Sequence, residues 1–458
     1  MTDRTSGLDT AVDLARRYLD GLDDRHVGAR ATGSELRDAL AAPLPDEGED
    51  PSAILEALAA QADPGVVASS GPRHFGFVMG GSLPAALGAD WLSSAWDQAP
   101  GFHVLSPAGA AIEEVAGAWI VDLLGLSPGA SFGFVTGGQG ANTTCLAAAR
   151  HRVLRDAGHD VERDGLVGAP PVRVLIGEQA HATIQRSLRL LGLGSASATP
   201  VAADDQGRMR ADALADALGD VDGPTIVCAQ AGNVASGAFD PFEAIAPLCR
   251  ERGARLHVDG AFGLWAAAAP SLQPLVAGVD QADSWGVDNH KWLNVPYDNA
   301  IAIVRDVEAH MGSMAYAGPY LVADPGQRDS ANFSPESSRR GRAIPVYAAL
   351  RSLGRRGVAE LVERNCAQAR QMAGLLSRNA PGAEVLNDVV LNQVLVRFPG
   401  GDDANRAIIA AVQRDGTCWL GGTSWNGEHV VRISFTNWST TAADVERSAA
   451  AIVRAAGE

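Results

Sequence analysis

From about Gly71 onward, short β-rich runs alternate with helical stretches, and this alternation constrains the fold more than any other feature of the chain. "VRVLIG", "TIVCAQ", "ARLHVDG" and "NAIAIVRD" read as strands, while "ANTTCLAAARHRVL", "ATIQRSLRLLGL" and "DPFEAIAPLCRERG" carry a helical period. Such repetition predicts a mostly parallel sheet with helices on both faces. Upstream, residues 1–70 read as helices broken by the loop "AAPLPDEGEDPS", a segment too interrupted to stand alone. Downstream, "YLVADPGQRDSANFSPESSRRGR" is polar and rich in Pro, Gly and Ser, and reads as a mobile loop before a domain boundary. A long helical pattern then runs from about Ile344 to Arg378. The remaining strands ("NQVLVRF", "VVRISF") and helices ("ANRAIIAAVQRDG", "TAADVERSAAAIVRAAG") suit a smaller α+β unit. Three segments are expected: 1–70, 71–343 and 344–458.

Charge narrows the partners. The 458 residues include 37 Lys+Arg against 54 Asp+Glu, a formal net charge of −17 that opposes binding to nucleic acid or anionic lipid. A small molecule is the simpler partner. The five cysteines (Cys145, Cys228, Cys249, Cys366, Cys418) are odd in number and show neither paired-thiol nor zinc spacing, which suits a reducing cytoplasm. "MTDRTSGLDTAVDLARRYLDGLDDR" lacks an apolar signal core, and no apolar run reaches the roughly 18 residues of a membrane span, so neither export nor membrane insertion is expected.

In open α/β folds ligands sit beyond the carboxyl ends of the strands, which directs attention to four places. In "FVTGGQGANTTCLAAAR" a glycine turn (Gly137, Gly138, Gly140) opens a helix, an arrangement suited to a phosphate or to plain connection. In "VDGAFG", Asp259 ends a strand; no neighbouring cluster completes a metal site, so it reads as a helix cap or as the acceptor for a cationic ligand nitrogen. His181 in "GEQAHATIQR" follows a strand where a helix begins, and reads as a structural hydrogen-bonder, a catalyst or a flat face for a ring. In "SWGVDNHKW", Lys291 stands with His290 between Trp285 and Trp292. Apolar neighbours would disfavour its charged form and leave a nucleophilic amine; alternatively its stem packs on tryptophan while the head reaches water. Phosphate cradle, ring face, anion and amine are the parts that pyridoxal 5′-phosphate (PLP) needs in combination.

The same residues resemble a known family, the group II PLP-dependent decarboxylases, which include aromatic-L-amino-acid, tyrosine and glutamate decarboxylases. "HFGFVMGG", "LSPAGAAIEEVAGAWIVDLLGL", "TGGQGAN", "EQAHATI", "AQAGNVASGAFDPFEAI", "HVDGAFG" and "NHKWLNVPYD" follow the family's order from about His74 to Leu361. The resemblance implies the PLP-dependent transferase fold type I (aspartate-aminotransferase-like), with a mostly parallel large domain and a smaller α+β C-terminal domain. It implies that Lys291 forms the Schiff base, that Asp259 pairs with the ring nitrogen, and that His181 and Ala261 flank the ring. Gly138, Gln139 and Gly140 would hold the phosphate with His290 beside them, and Asn233 would lie near the ring oxygen, where relatives place a hydroxyl residue. Phe77 in "HFGFVMGG" and Phe102 and His103 in "PGFHVL" fall in substrate-pocket segments, the latter pair supplied by the neighbouring subunit. The resemblance thus implies a homodimer with shared active sites, residues 1–70 packing on the partner. Arg432, on a predicted strand, would clamp a substrate carboxylate or form a surface ion pair.

The sequence departs from relatives that act on aromatic amino acids through a loop tyrosine. Here "DPGQRDSANFSPESSRRGR" has none, and with Arg339 and Arg340 as anchors Ser330 or Phe333 falls near that position, while Tyr316 and Tyr320 lie upstream. The reading is decarboxylation of an L-amino acid with an aromatic or bulky apolar side chain. Aldehyde synthesis by oxidative decarboxylation–deamination and aldol cleavage of a β-hydroxy amino acid are alternatives within the fold. A non-catalytic PLP-fold binding protein is the alternative outside enzymes.

Overall fold

The computed structural model describes residues 3–219, 223–316 and 326–457. Seven strands, β1 (Ser131–Val135), β2 (Arg173–Gly177), β3 (Ala198–Val201), β4 (Thr225–Gln230), β5 (Arg255–Asp259), β6 (Ser284–Asp288) and β7 (Ala300–Val304), form one sheet in the order β1-β7-β6-β5-β4-β2-β3. The neighbours β3, β2, β4, β5 and β6 pair in parallel, and β7 is antiparallel to both β6 and β1. Reversal of β7 leaves β1 running with β6, so β1, β2, β4, β5 and β6 all end at one edge of the sheet. The expected fold type I large domain is what the chain forms. Along β4, Val227 and Ala229 face one core while Ile226 and Cys228 face the other, the period-two signature of a strand covered on both sides.

The sequence reading left β6 undrawn. Its five residues "SWGVD" are all buried, with a glycine at the centre, so they show neither alternation nor an unbroken β-branched run. Pairing with β5 and β7 decides its conformation instead.

The C-terminal unit carries a second sheet of β8 (Glu384–Val385), β9 (Gln393–Arg397), β10 (Gly421–Trp425) and β11 (Glu428–Ser434), antiparallel throughout in the order β10-β11-β9-β8. Ile408 and Val412, Val445 and Ile452, and Met372 and Leu376, from three helices, share its core. The last pair belongs to the helix Ala343–Asn379, which is broken at Gly354, where φ is 62°. Residues 73–75 run beside this unit: Phe75 N–H donates to Trp419 O at 2.8 Å, and Ser434 N–H to Phe75 O at 2.9 Å. Further along, a Cβ on Gly80 would lie 1.7 Å from Lys291 O, so only glycine permits that approach to the lysine's backbone.

The stretch read as a mobile loop is packed where it is described. Ser330, Ala331 and Phe333 are buried, and Ala331 N–H donates to Gly101 O at 2.8 Å. Arg328 stacks its guanidinium on Phe132 and Phe333, 4.7 and 4.2 Å from the ring centres. Arg339 forms a bidentate pair with Glu113 (2.5 and 2.8 Å), both side chains 1% exposed. Aromatic stacking and a buried ion pair, neither visible in composition, hold this polar segment. Tyr320 lies outside the described residues.

Removing one member of a buried ion pair leaves the other uncompensated, at about 3–5 kcal/mol. Glu113→Ala is therefore expected to lower unfolding stability by about that much in urea titrations. A pH effect has a separate source. His74, His257 and His310 are buried, and desolvation holds them at about 4, 3 and 3 against an ordinary 6.5. Below pH 6.5 the unfolded chain binds protons that the folded chain refuses, so stability falls on acidification and is fully restored above 6.5. Urea titrations at pH 7 and 5 should show the gap between wild type and His310→Gln narrowing by about 1–2 kcal/mol at the lower pH.

Candidate active site

Lys291 follows the end of β6 and meets a carboxylate rather than an apolar wall. Its Nζ is 2.8 Å from Oδ2 of Asp288, with side-chain exposures of 21% and 3%. Trp285 and Trp292 are buried and turned inward, their indole N–H groups donating to Val279 O (2.9 Å) and Asn365 Oδ1 (2.9 Å). The expectation of a lysine desolvated between tryptophans is thus corrected: the indoles anchor the loop in the core, and the ammonium pairs with an anion. Sequence reading missed Asp288, whose signal was an acid three residues before the lysine.

His290 is buried, with Nδ1 2.8 Å from the Asn299 carbonyl and its ring 4.2 Å from that of Tyr297. Burial lowers its pKa, so the neutral imidazole donates from Nδ1. Its Cε1 lies 3.6 Å from where a Cβ on Gly137 would stand, so the ring borders the glycine turn. There the helix Gly138–Asp156 begins with no side-chain cap, leaving the first N–H groups of a 19-residue helix toward the site. A Cβ on Gly138 would lie 2.8 Å from Asp288 Oδ2. Gln139 commits its carboxamide to Ser187 Oγ (2.8 Å) and Thr183 O (3.3 Å), so its side chain joins two helices and its backbone remains for a ligand. Gly140 sits in the same first turn.

Asp259 ends β5, 8% exposed, and accepts from Asn142 Nδ2 (3.0 Å) and Ala261 N–H (3.2 Å). His181 follows β2 and caps the helix Ala182–Leu190, its Nδ1 3.3 Å from Thr183 N and 2.9 Å from Thr183 Oγ1. Desolvation lowers its pKa, opposed by the Asp259 charge. Asn233 is fully buried, its Oδ1 accepts from Ala235 N–H (2.8 Å) and Ser236 N–H (3.1 Å), and its Nδ2 is 3.4 Å from Gln179 O, so its carboxamide closes the turn after β4.

Arg432 on β11 is half-buried, donates to Val234 O at 3.2 Å, and forms no ion pair among the described residues. Burial lowers its pKa. It shares a hollow with Phe77, Trp419 and His429. Phe77 is 67% exposed and stacks on Trp419 at 5.4 Å, with His74 on Trp419 at 5.0 Å. Phe102 is edge-on to Tyr316 at 6.5 Å, and His103 N–H donates to Asp329 Oδ1 at 2.9 Å. Phe333 is 7% exposed beneath Arg328 and against His310, and Ser330 is 1% exposed. Within this chain, cation–π stacking and burial hold Phe333 and Ser330 in their own turn.

An amine, an uncapped helix start whose cradle a Cβ would fill, and a buried strand-end carboxylate fit the aldehyde, phosphate and ring nitrogen of PLP. The parallel sheet that gathers them, with an antiparallel unit alongside, defines a fold type I PLP enzyme. The family model described as "Pyridoxal-dependent decarboxylase conserved domain" matches residues 34–398, and the chain belongs to that family. It is 26% identical over 447 residues to an aromatic-L-amino-acid decarboxylase of Bacillus atrophaeus, covering 94% of this chain and 91% of the relative. A 4-hydroxyphenylacetaldehyde synthase of Rhodiola rosea is 29% identical, over 79% of this chain and 74% of its own. In structure, Oryza sativa TDC with PLP and tryptamine superposes with a TM-score of 0.91 at 24% identity, over 98% of this chain and 96% of that one. The chain is accordingly a PLP-dependent carboxy-lyase acting on an amino acid.

Gly138→Val would fill the cradle. Cofactor titration followed by tryptophan fluorescence should show PLP binding weakened at least tenfold, about 1.4 kcal/mol.

Proposed function

We propose that this chain decarboxylates an L-amino acid with an aromatic or bulky apolar side chain to the amine and CO2, with PLP held on Lys291. The observation that carries the substrate class is Arg432, a half-buried guanidinium without a carboxylate partner among the described residues, in one hollow with the exposed ring of Phe77. A carboxylate on Arg432 would satisfy its free donors, and the aromatic faces beside it suit an apolar side chain. Relatives named as aromatic-L-amino-acid, tryptophan and tyrosine decarboxylases support the reading.

When bound, PLP supplies the protonated ring that takes up the electron pair left by CO2. Asp259 would hold the proton on the ring nitrogen, and the His181 imidazole and Ala261 would confine the ring. Gly138, Gln139 and Gly140 offer backbone N–H groups to the phosphate, with the neutral His290 beside them. Nζ of Lys291, next to Asp288, returns the proton that replaces the carboxylate.

The working form proposed is a cytoplasmic homodimer. No helix among the described residues is long and apolar enough to cross a membrane. The helices Leu8–Asp20, Gly33–Leu40 and Pro51–Ala62 bury no residue fully, while Leu8, Leu19, Ile54 and Leu58 are 40–57% exposed, so residues 1–70 are suited to pack on a partner. Val104 and Leu105, 55% and 64% exposed beside Phe102 and His103, suit delivery of that segment to a neighbour's site. Residues 71–343 then form the cofactor-binding domain and 344–458 the small domain.

Borohydride reduction of the holoprotein followed by peptide mapping is expected to place the cofactor on Lys291; an unlabelled protein would support the non-catalytic reading. A screen of amino acids with mass detection should find amine and CO2 without oxygen uptake. Aldehyde, ammonia and peroxide would instead establish aldehyde synthesis. Arg432→Ala should raise KM by roughly 10- to 150-fold, the equivalent of about 1.5–3 kcal/mol for a charged hydrogen bond.

A further inference from the structure

Nδ2 of Asn142 is 3.0 Å from Asp259 Oδ2 and 3.2 Å from Thr183 Oγ1, and Thr183 Oγ1 is 2.9 Å from Nδ1 of His181. On its other side, Asn142 Oδ1 is 3.1 Å from Nε2 of His257, whose Nδ1 is 3.0 Å from Ser284 Oγ. Asn142, His257 and Ser284 are 1%, 0% and 2% exposed. One strand and two helices therefore meet at one carboxamide, and His257 extends the link to β6.

The direction of every proton follows from the carboxylate, which only accepts. Asn142 must turn its NH2 to Asp259, which leaves its oxygen toward His257. His257 then donates from Nε2 and accepts the Ser284 hydroxyl at Nδ1. Burial keeps this imidazole neutral down to about pH 3, so the arrangement persists through the neutral range. The Thr183 hydroxyl, accepting from Asn142, is left to donate to His181 Nδ1 and thereby orients that ring.

An independent observation lies on β6. A Cβ on Gly286 would stand 2.5 Å from Asn142 Oδ1. Glycine inside a strand is a weakness unless something approaches closely, and here the approaching group is this carboxamide.

We propose that Asn142 is a positioning residue for the cofactor ring. It fixes together the carboxylate assigned to the ring nitrogen and the imidazole assigned to the ring face, and His257 fixes the orientation of Asn142. The inference rests on the reading of Asp259 and His181 as the ring's partners. No sequence motif pointed to it, because "TGGQGAN" directs attention to its glycines.

The test compares wild type with Asn142→Leu, Asn142→Asp, His257→Leu and His257→Gln. PLP affinity by fluorescence titration, the pH titration of the bound cofactor's visible absorbance and its visible circular dichroism are read alongside thermal unfolding of each cofactor-free protein. Asn142→Leu is expected to weaken PLP binding about tenfold, to shift the midpoint of the visible titration and to alter the visible dichroism. Asn142→Asp, which sets a second carboxylate against Asp259, should do so more strongly. His257→Leu should weaken binding about threefold, and His257→Gln, whose amide can donate where Nε2 did, should restore it. Asn142 variants that lose thermal stability while affinity, titration and dichroism stay at wild-type values would overturn the inference. Should the leucine variant not fold, wild-type binding and spectra in the near-isosteric aspartate variant would overturn it equally. A wild-type protein that takes up no PLP would remove the site reading and this inference with it; normal wild-type uptake with unchanged variants removes the inference alone.

Discussion

Two carboxylates buried at the ends of neighbouring strands set the terms for everything around them. Asp259 on β5 and Asp288 on β6 are 8% and 2% exposed, and a buried charge without partners is costly enough that the surrounding residues must answer it. Asp288 is answered by the Lys291 ammonium, and Asp259 by an amide side chain and a backbone N–H. Lysine, glycine turn and imidazoles are arranged about these two anions, not about the tryptophans that flank the lysine in sequence. The parallel register of β5 and β6, Asp259 opposite Gly286, places the anions on one edge.

Much of this is legible in the sequence. The strands β2, β4, β5 and β7 and the helices between them stand where hydrophobic period and turn residues put them, because local pattern and tertiary burial agree there. Asp259, His181 and the glycine turn were each recognisable as polar or flexible residues just beyond a strand, and Lys291 by its place among His290, Trp285 and Trp292. What the pattern withheld was partnership. Asp288, Asn142 and His257 read as ordinary residues of "VDNHK", "GAN" and "RLHVD", since hydrogen bonding across 115 residues, as between Asn142 and His257, leaves no local trace. The segment 326–342 misled for the converse reason. Its composition is that of a solvated loop, yet Arg328 and Arg339 spend their charge inside the protein on rings and on Glu113.

Asn233 and Phe333 each hold their own segment, the one through its turn's backbone N–H groups and the other beneath Arg328, contacts that position in the sequence does not reveal. Arg432 is the opposite case: an ambiguous strand residue in sequence, and in space a guanidinium facing an aromatic hollow with donors to spare.

The chain after Lys291 is gripped from the other unit. Asn294, in a left-handed conformation at φ 55°, donates from its amide to Trp292 O (2.8 Å) and Thr436 O (2.9 Å) and accepts from Trp438 N–H (2.9 Å). One side chain thus rivets the loop after Lys291 to the segment that follows β11. The two segments are geared at this point: any displacement of the one after β11 would be transmitted to the lysine's backbone directly, so the aim of the Lys291 side chain is set partly by residues more than 140 positions away in the chain.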